Sequence, residues 1–186
     1  MPRLYGNRIM LREYQTEDYA CMREWVNEPE IVDCLSDVFL YPQTAHDTRK
    51  FLDAVIEREN EDHRGFVIAD LETSVYMGQI DLFSFDWRSR VAEMGMVIGN
   101  PALHGLGFGS EAIRLLQQFA FNQLNLNRLE LKVHADNAKA IRCYINCGFQ
   151  EEGRLRDRHF ANGKYNDLIL MSILKREYDA REGSSV

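Results

Sequence analysis

Residues 91–112 read VAEMGMVIGNPALHGLGFGSEA, and this stretch decides the fold. It opens with an apolar run that favours a strand, passes Asn100-Pro101 and enters a loop with glycines at positions 105, 107 and 109. From Ile113 onward the apolar residues recur at helical spacing. The pattern predicts a strand, a glycine-rich turn and the N-terminus of a helix. Such a turn presents unpaired backbone N–H groups and the positive end of a helix dipole, which together suit a phosphate.

Two familiar nucleotide-binding loops do not fit this turn. No lysine follows Gly109-Ser110, and the glycine spacing differs from that of the Walker A loop. The dinucleotide fingerprint needs a glycine at position 110, where serine stands, and an acidic residue after a second strand. The sequence therefore predicts a phosphate-bearing ligand that is held by a different kind of loop.

The composition sets limits on the function. The chain has 186 residues, of which 45% are hydrophobic and 27% are charged, as expected for one globular domain. A net charge of −7 argues against nucleic-acid binding and is compatible with a cationic amine substrate. No apolar run reaches transmembrane length and no signal-peptide pattern is present, so we expect a cytoplasmic protein that binds no membrane. The four cysteines lack CxxC spacing and are expected to be free thiols, with no metal site.

The remaining sequence predicts a single α/β domain with a mixed sheet. Strands are predicted at residues 8–12, 64–70, 75–85 and 128–133, from 149 onward, and at 165–174. Helices are predicted from Thr16 to Val26, from Pro29, from Thr44 or Asp47, from the glycine loop to about Leu124, and from Asn137 to Cys147 with Gly148 as its C-terminal cap. The domain is expected to span residues 1–179, followed by a flexible tail over 180–186.

Two motifs in this order resemble the GCN5-related N-acetyltransferase (GNAT) superfamily. The pyrophosphate loop of that family, Arg/Gln-x-x-Gly-x-Gly/Ala, matches residues 104–109 in its glycines, with His104 at the first position. The second motif, Asn-x-x-Ser/Ala-x-x-x-Tyr-x-x-x-Gly-Phe, is present as Asn137, Ala140, Tyr144, Gly148 and Phe149. A third pattern resembles the branch that contains ribosomal-protein N-terminal and spermidine acetyltransferases, and its residues are Gly153, Leu155, Arg156, Gly163, Tyr165, Asp167 and Met171.

The resemblance implies a fold, a co-substrate and a reaction. The fold is a single α/β domain whose mixed, mostly antiparallel sheet is flanked by helices and contains a splayed strand pair. The reaction is direct transfer of an acetyl group from acetyl-CoA to a primary amine, without a metal. Val97, Ile98 and Gly99 are expected to offer unpaired backbone N–H groups and to pair with the pantetheine arm like an added strand. The other residues expected to bind the co-substrate are His104, Gly105, Leu106, Gly107, Phe108, Gly109, Ser110, Asn137 and Lys139.

Tyr144 and Glu93 are the candidate catalytic residues. The resemblance implies that Tyr144 donates a proton to the departing thiolate. Glu93 is expected to take the proton of an alkylammonium group, whose pKa is about 10.4. Two alternatives stay open, in which Glu93 orients the ammonium or is an exposed or ion-paired strand residue. A rival base in the next strand is less favoured, because Lys132 stands where an acidic residue is expected.

The acceptor side is predicted from the first two helices and the last hairpin. The candidate substrate residues are Trp25, Glu28, Glu30, Tyr165 and Asp167. Several acids near one opening suit a polyamine, although a solvated helix face has the same composition. A small molecule or polyamine is slightly favoured over a peptide substrate, which would be the N-terminus of a ribosomal protein. A CoA-binding sensor without turnover and a homodimer also remain open.

Overall fold

The computed structural model describes residues 3–161 and 163–183, except for the side chain of Asp37. Within these ranges the chain forms eight strands and six α-helices. The strands are β1 (Leu4–Tyr5), β2 (Ile9–Arg12), β3 (His63–Asp70), β4 (Tyr76–Asp86), β5 (Val91–Ile98), β6 (Arg128–His134), β7 (Gln150–Ala161) and β8 (Lys164–Leu174). The helices are α1 (Asp18–Trp25), α2 (Pro29–Val32), α3 (Ala45–Glu57), α4 (Phe108–Asn122), α5 (Ala138–Asn146) and α6 (Lys175–Gly183).

The strands form one sheet in the order β1-β2-β3-β4-β5-β6-β8-β7, and among the described residues only the β5–β6 pairing is parallel. Side chains alternate between the two faces, as the pleat of a strand requires. On β3, Phe66 and Ile68 belong to the core that includes α4, whereas Val67 and Ala69 belong to the core that includes α1 and α3. The predicted fold, an α/β domain with a mixed and mostly antiparallel sheet flanked by helices, is confirmed.

Local signals explain several helix ends. Thr44 caps α3, because its hydroxyl accepts a hydrogen bond from the N–H of Asp47 at 3.1 Å and the Asp47 carboxylate accepts one from the N–H of Thr44 at 2.8 Å. Gly148 follows α5 with φ of 93°, a conformation that favours glycine. The expected cap at Thr16 is wrong, since α1 begins at Asp18 after Glu17 and has no side-chain cap.

The sheet opens between its two central strands. Parallel pairing joins β5 to β6 only at the start of both strands, where Val91 pairs with Arg128, Ala92 with Leu129 and Glu93 with Glu130. Beyond Glu93, β5 stays paired with β4, and β6 stays paired with β8. The predicted splayed strand pair is therefore present, and the gap lies beside the last part of β5.

The structure contains two elements that the sequence analysis did not predict, β1 and α6. Strand β1 extends the edge of the sheet, and α6 runs from Lys175 to Gly183, past the predicted domain end at residue 179. Residues 184–186 and Asn162, in the turn between β7 and β8, lie outside the described residues. Among the described residues, no helix has the length and apolar character needed to span a membrane.

Candidate active site

The glycine-rich loop leads directly into α4. Gly105 and Gly107 have φ of 76° and 89°, in the left-handed region, and Gly107 is the residue that precedes the helix. The first N–H groups of a helix have no acceptor within it, so the amides at the start of α4 can donate to an external oxygen. These amides belong to Phe108, Gly109 and Ser110. The loop thus has the geometry of an anion site at a helix N-terminus.

The loop is held to β5 by its own side chains. Asn100 accepts a hydrogen bond from the N–H of Ala102 at 2.9 Å, within a short 3₁₀ turn at Pro101–Leu103. His104 Nε2 lies 3.0 Å from the backbone oxygen of Ile98, so that nitrogen donates when it carries the proton. The side chain at the first loop position is therefore used to close the loop onto the end of β5.

Arg8 lies against the same loop. Its Nη1 donates to the backbone oxygen of Leu106 at 2.9 Å, and its guanidinium lies 4.5 Å from the centroid of the Phe108 ring. The Nε donates to Glu111 on α4 at 3.1 Å. Sequence reasoning missed Arg8, because it is about one hundred residues from the loop along the chain and no local pattern marks it.

The end of β5 lies beside the gap in the sheet. The N–H of Gly99 donates to the backbone oxygen of Met77 at 2.9 Å, so the expectation of an unpaired amide is wrong at this residue. Since backbone groups on alternate residues of an antiparallel strand point to opposite sides, Ile98 directs its N–H and C=O away from β4. The contact from His104 to the Ile98 oxygen agrees with this direction. Of the predicted segment, Ile98 offers its backbone to the gap, whereas Val97 and Gly99 face β4.

Tyr144 lies on α5, next to the core. It is 8% exposed, and its ring packs edge-on against Phe149 with 5.9 Å between centroids. Burial raises the pKa of Tyr144, so the phenol keeps its proton at neutral pH. Asn137, at the start of the helix, accepts a hydrogen bond from the N–H of Ala140 at 3.1 Å, and Lys139 is exposed in the first turn. The Asn137 side chain is thus engaged as a helix cap.

A thiol pair connects α5 to α4. The Sγ of Cys143 lies 3.2 Å from the Oγ of Ser110, and the Cys147 thiol is 3.6 Å from the Ser110 backbone oxygen. A hydrogen bond from Cys147 lowers the pKa of Cys143 to about 6. All four cysteines are free, as predicted. The structure thus brings a thiol that readily ionises close to the start of the loop helix.

Glu93 forms an ion pair across the central strands. Its Oε2 lies 2.6 Å from Lys132 Nζ, and its side chain is 16% exposed. Glu130, the acidic residue two positions before Lys132 on β6, is bound by Arg128 at 2.8 Å. An ion-paired Glu93 is one of the alternatives that the sequence leaves open, and it is the arrangement that the structure has.

The candidate acceptor residues fall into two groups. Trp25 is 2% exposed and donates through Nε1 to the Tyr76 hydroxyl at 3.2 Å. A Cβ placed on Gly99 would come within 2.5 Å of the indole, so the end of α1 packs directly on the end of β5. Glu28 and Glu30 follow within a few residues and are exposed. The acidic residues of this first group therefore follow, along the chain, the helix that packs on the end of β5.

The second group lies on β8. Tyr165 is exposed, and its ring lies against Phe160 with 5.0 Å between centroids. Asp167 binds Arg154 at 2.9 Å and accepts a hydrogen bond from the N–H of Asp157 at 2.9 Å. These bonds, above all the one from the Asp157 backbone, lower the pKa of Asp167. Asp167 thus stabilises the β7–β8 hairpin, in addition to any contact with a substrate.

A family model described as an acetyltransferase (GNAT) domain matches residues 8–150. The chain belongs to the GNAT family. It is an N-acetyltransferase by this membership, as the two sequence motifs predicted.

Two relatives and one crystal structure are similar to this GNAT chain. It is 33% identical over 179 residues to the uncharacterized N-acetyltransferase p20 of Bacillus licheniformis, covering 96% of this chain and 99% of the relative. It is 33% identical over 158 residues to the spermidine N(1)-acetyltransferase of Vibrio cholerae, covering 84% and 82%. The crystal structure of the Vibrio cholerae spermidine N-acetyltransferase with CoA and spermine matches with a TM-score of 0.80 and 27% identity, covering 92% of this chain and 98% of that one.

The site of this GNAT chain fits a CoA co-substrate. The loop amides and the two glycines in left-handed conformation together suit a pyrophosphate. The gap between β5 and β6 offers backbone groups to an extended arm. Among residues 3–161 and 163–183, no cluster of three histidine, cysteine or acidic side chains has the arrangement of a metal site.

Proposed function

We propose that this GNAT chain transfers the acetyl group of acetyl-CoA directly to a primary amine of a polyamine or another small cationic amine. The observation that carries the proposal is the packing of Trp25 on Gly99, which is so close that a Cβ at position 99 would lie 2.5 Å from the indole. Because α1 ends at this contact, the exposed carboxylates of Glu28 and Glu30 begin at the donor end of β5. Carboxylates at this position would attract a substrate that carries several ammonium groups.

Similarity supports the same acceptor class. The Vibrio cholerae relative is named a spermidine acetyltransferase, and the matching crystal structure contains spermine as well as CoA. The net charge of −7 also favours a cationic substrate, since it raises the local concentration of cations near the surface. The two lines of support are independent, because the first comes from homology and the second from charge.

The reaction makes two demands on protons. The ammonium must lose a proton before its nitrogen attacks the thioester carbon, and the thiolate must gain one when the carbon–sulfur bond breaks. We assign the second proton to Tyr144, because its buried phenol stays protonated. We assign the first to Glu93, directly or through a water molecule. Since Lys132 occupies its carboxylate, the ammonium would have to displace Lys132 from Glu93 or share the carboxylate with it.

Binding contributes to the rate by holding the reactants in place. The amides at the start of α4 and the backbone of Ile98 would fix the donor, so that the thioester meets the amine in one orientation. Backbone donors beside the gap would also stabilise the negative charge that develops on the carbonyl oxygen. Such a mechanism needs no covalent acetyl-enzyme.

The first experiment is thiol release from acetyl-CoA across a panel of amines. The panel contains spermine, spermidine, amino sugars, aminoglycosides, amino acids and peptides with different N-termini. Turnover confined to polyamines supports the proposal. Turnover confined to peptides would reject it in favour of a protein N-terminal acetyltransferase.

A tyrosine variant separates the enzyme from a sensor that binds CoA without turnover. With the best amine of the panel, Tyr144→Phe is expected to lower kcat strongly, while the affinity for CoA measured by calorimetry stays within about twofold. Turnover by the variant at the rate of the wild type would mean that the phenol gives up no proton in the reaction.

The remaining expectations are also part of this proposal. We expect a cytoplasmic protein that binds neither nucleic acid nor membrane. Cell fractionation and a filter-binding assay with duplex DNA would test these expectations. A homodimer stays a prediction, which sedimentation analysis would decide.

A further inference from the structure

Arg8 lies beside the glycine-rich loop and has no role in the reaction described above. The first loop position, His104, directs Nε2 to the Ile98 oxygen at 3.0 Å. Its ring is therefore committed to closing the loop. A pyrophosphate at the start of α4 would still carry charge that the backbone amides only partly compensate. The structure provides a guanidinium at this place from a distant part of the chain.

Arg8 contacts Leu106 and Phe108 of the loop and lies close to Gly107 between them. Its Nη1 donates to the Leu106 oxygen at 2.9 Å, and Nη2 lies 3.2 Å from the position that a Cβ on Gly107 would occupy. Its guanidinium also lies over the Phe108 ring, at 4.5 Å from the centroid. The guanidinium thus lies directly beside the amides that begin α4. Its side chain is 48% exposed, so a ligand can reach it.

Glu111 fixes the direction of Arg8. One carboxylate oxygen of Glu111 accepts hydrogen bonds from the N–H groups of Asn7 and Arg8, at 2.6 Å and 2.8 Å, and the other accepts from Arg8 Nε at 3.1 Å. Burial raises the pKa of Glu111, but the hydrogen bonds from Arg8 and Asn7 outweigh it and the pKa is lowered. Glu111 is therefore an anion in the first turn of α4, where it would repel a phosphate if it were not compensated.

We infer that Arg8 binds the phosphate groups of acetyl-CoA, and that it does so while neutralising Glu111. The inference rests on the proposed use of acetyl-CoA as donor. A guanidinium can bind a phosphate through two parallel N–H donors. The contacts with Glu111 and Leu106 use Nε and one Nη1 hydrogen, and the guanidinium has five N–H donors in all. Arg8 is thus a cofactor-binding residue that the loop motif does not contain.

The test compares two acetyl donors. Acetyl-CoA carries the pyrophosphate, whereas S-acetylpantetheine has the same thioester arm without any phosphate. Replacing Arg8 by glutamine is expected to raise KM for acetyl-CoA about tenfold, the lower end for a charged hydrogen bond because the side chain is half exposed. The kcat for acetyl-CoA and the kcat/KM for S-acetylpantetheine should stay within about twofold. Arg8→Lys keeps the positive charge but loses the two parallel N–H donors of the guanidinium, so it should give an intermediate KM for acetyl-CoA.

Arg3→Gln is the matched control. Arg3 is in the same N-terminal segment and pairs with Glu13, away from the loop. The control should leave KM unchanged for both donors. If Arg8→Gln reduced kcat/KM equally for both donors, or if it left KM for acetyl-CoA unchanged, the inference would be overturned. Equal losses would mean that Arg8 supports the structure of the donor site as a whole.

Binding measurements keep this test independent of the acceptor. Calorimetry with CoA and with pantetheine makes the same comparison when no amine is turned over. A loss of CoA affinity in Arg8→Gln, with pantetheine binding unchanged, would support the inference even if acetyl transfer to polyamines failed. CoA affinity equal to that of the wild type would overturn it, whatever the amine panel shows.

Discussion

The contact between Gly99 and Trp25 allows a quantitative prediction. In Gly99→Ala, the new methyl group would lie 2.5 Å from Cδ1 and 2.9 Å from Nε1 of the indole. Carbon atoms in contact prefer about 3.5–4.0 Å, so the ring has to move by about 1 Å. The ring is 2% exposed, packs against Phe39 with 5.8 Å between centroids, and donates to Tyr76. Little room is available for such a movement.

The expected cost has two parts. Forcing a methyl group into a packed core costs about 1–3 kcal/mol. Stretching the hydrogen bond from Trp25 to Tyr76, which is already 3.2 Å long, adds about 1 kcal/mol. The free energy of unfolding should therefore fall by about 2–4 kcal/mol. For a chain of this length, each kcal/mol lowers Tm by about 2–4 °C, so a fall of about 4–16 °C is expected.

Thermal unfolding followed by circular dichroism measures the change. Gly153→Ala is the matched control, since a Cβ at Gly153 on β7 meets nothing within 4 Å. The control should not melt below the wild type, because the new methyl group meets no neighbour and alanine restricts the unfolded chain more than glycine does. If the Tm of Gly99→Ala equalled that of the control, Trp25 could not pack on Gly99 as described. The argument that Glu28 and Glu30 follow this contact would then fail as well.

Three further predictions concern other contacts of the site and the core. Glu93→Gln should lower kcat, and the loss should shrink as pH rises towards the pKa of the amine if Glu93 takes the proton; a pH-independent loss in the rate profile would indicate a positioning role. Arg12 and Asp18 form a buried ion pair with 2.6 Å between Nη2 and Oδ1. Asp18→Asn leaves Arg12 without its ionic partner and should lower the free energy of unfolding by about 3–5 kcal/mol, as measured by urea denaturation. A decrease below about 1 kcal/mol would contradict this. Cys143, whose pKa is lowered to about 6 by the hydrogen bond from Cys147, should react with iodoacetamide at half its maximal rate near pH 6, because the thiolate forms above that pH. In Cys147→Ala the midpoint should rise towards about 8.5, the ordinary value, and an unchanged midpoint would argue against the thiol pair.

Much of the fold could be predicted because its signals are local. The capping pair of Thr44 and Asp47, the glycine after α5 and the alternation along β6 each depend on a few consecutive residues. The splayed strands were predicted through the resemblance, and the structure shows them as pairing that stops after Glu93. The cap at Thr16 failed because Asp18 is drawn into a buried ion pair with β2, which is a tertiary contact.

The site was less predictable than the fold, for a physical reason. The glycine loop could be located because its backbone conformation needs glycine at positions 105 and 107. The partners of side chains depend on strands and loops that meet only after folding. The ion pair of Lys132 with Glu93 joins residues 39 apart, and the contact of Arg8 with the loop joins residues 98 apart. No local sequence pattern marks such pairs.

Within the described part of the chain, the gap between β5 and β6 leaves the end of β5 without a strand partner on one side. The two halves of the sheet share parallel pairing at three residue pairs only, so the end of β5 is an internal edge. A donor arm that pairs there would turn this edge into an interior strand and protect its amides from hydrogen exchange. A ligand at one hundred times its Kd stabilises a folded protein by about 2.7 kcal/mol. The lifetime of the folded chain in a cell would then follow the supply of acetyl-CoA, and scarcity of the donor would lower both turnover and the amount of enzyme.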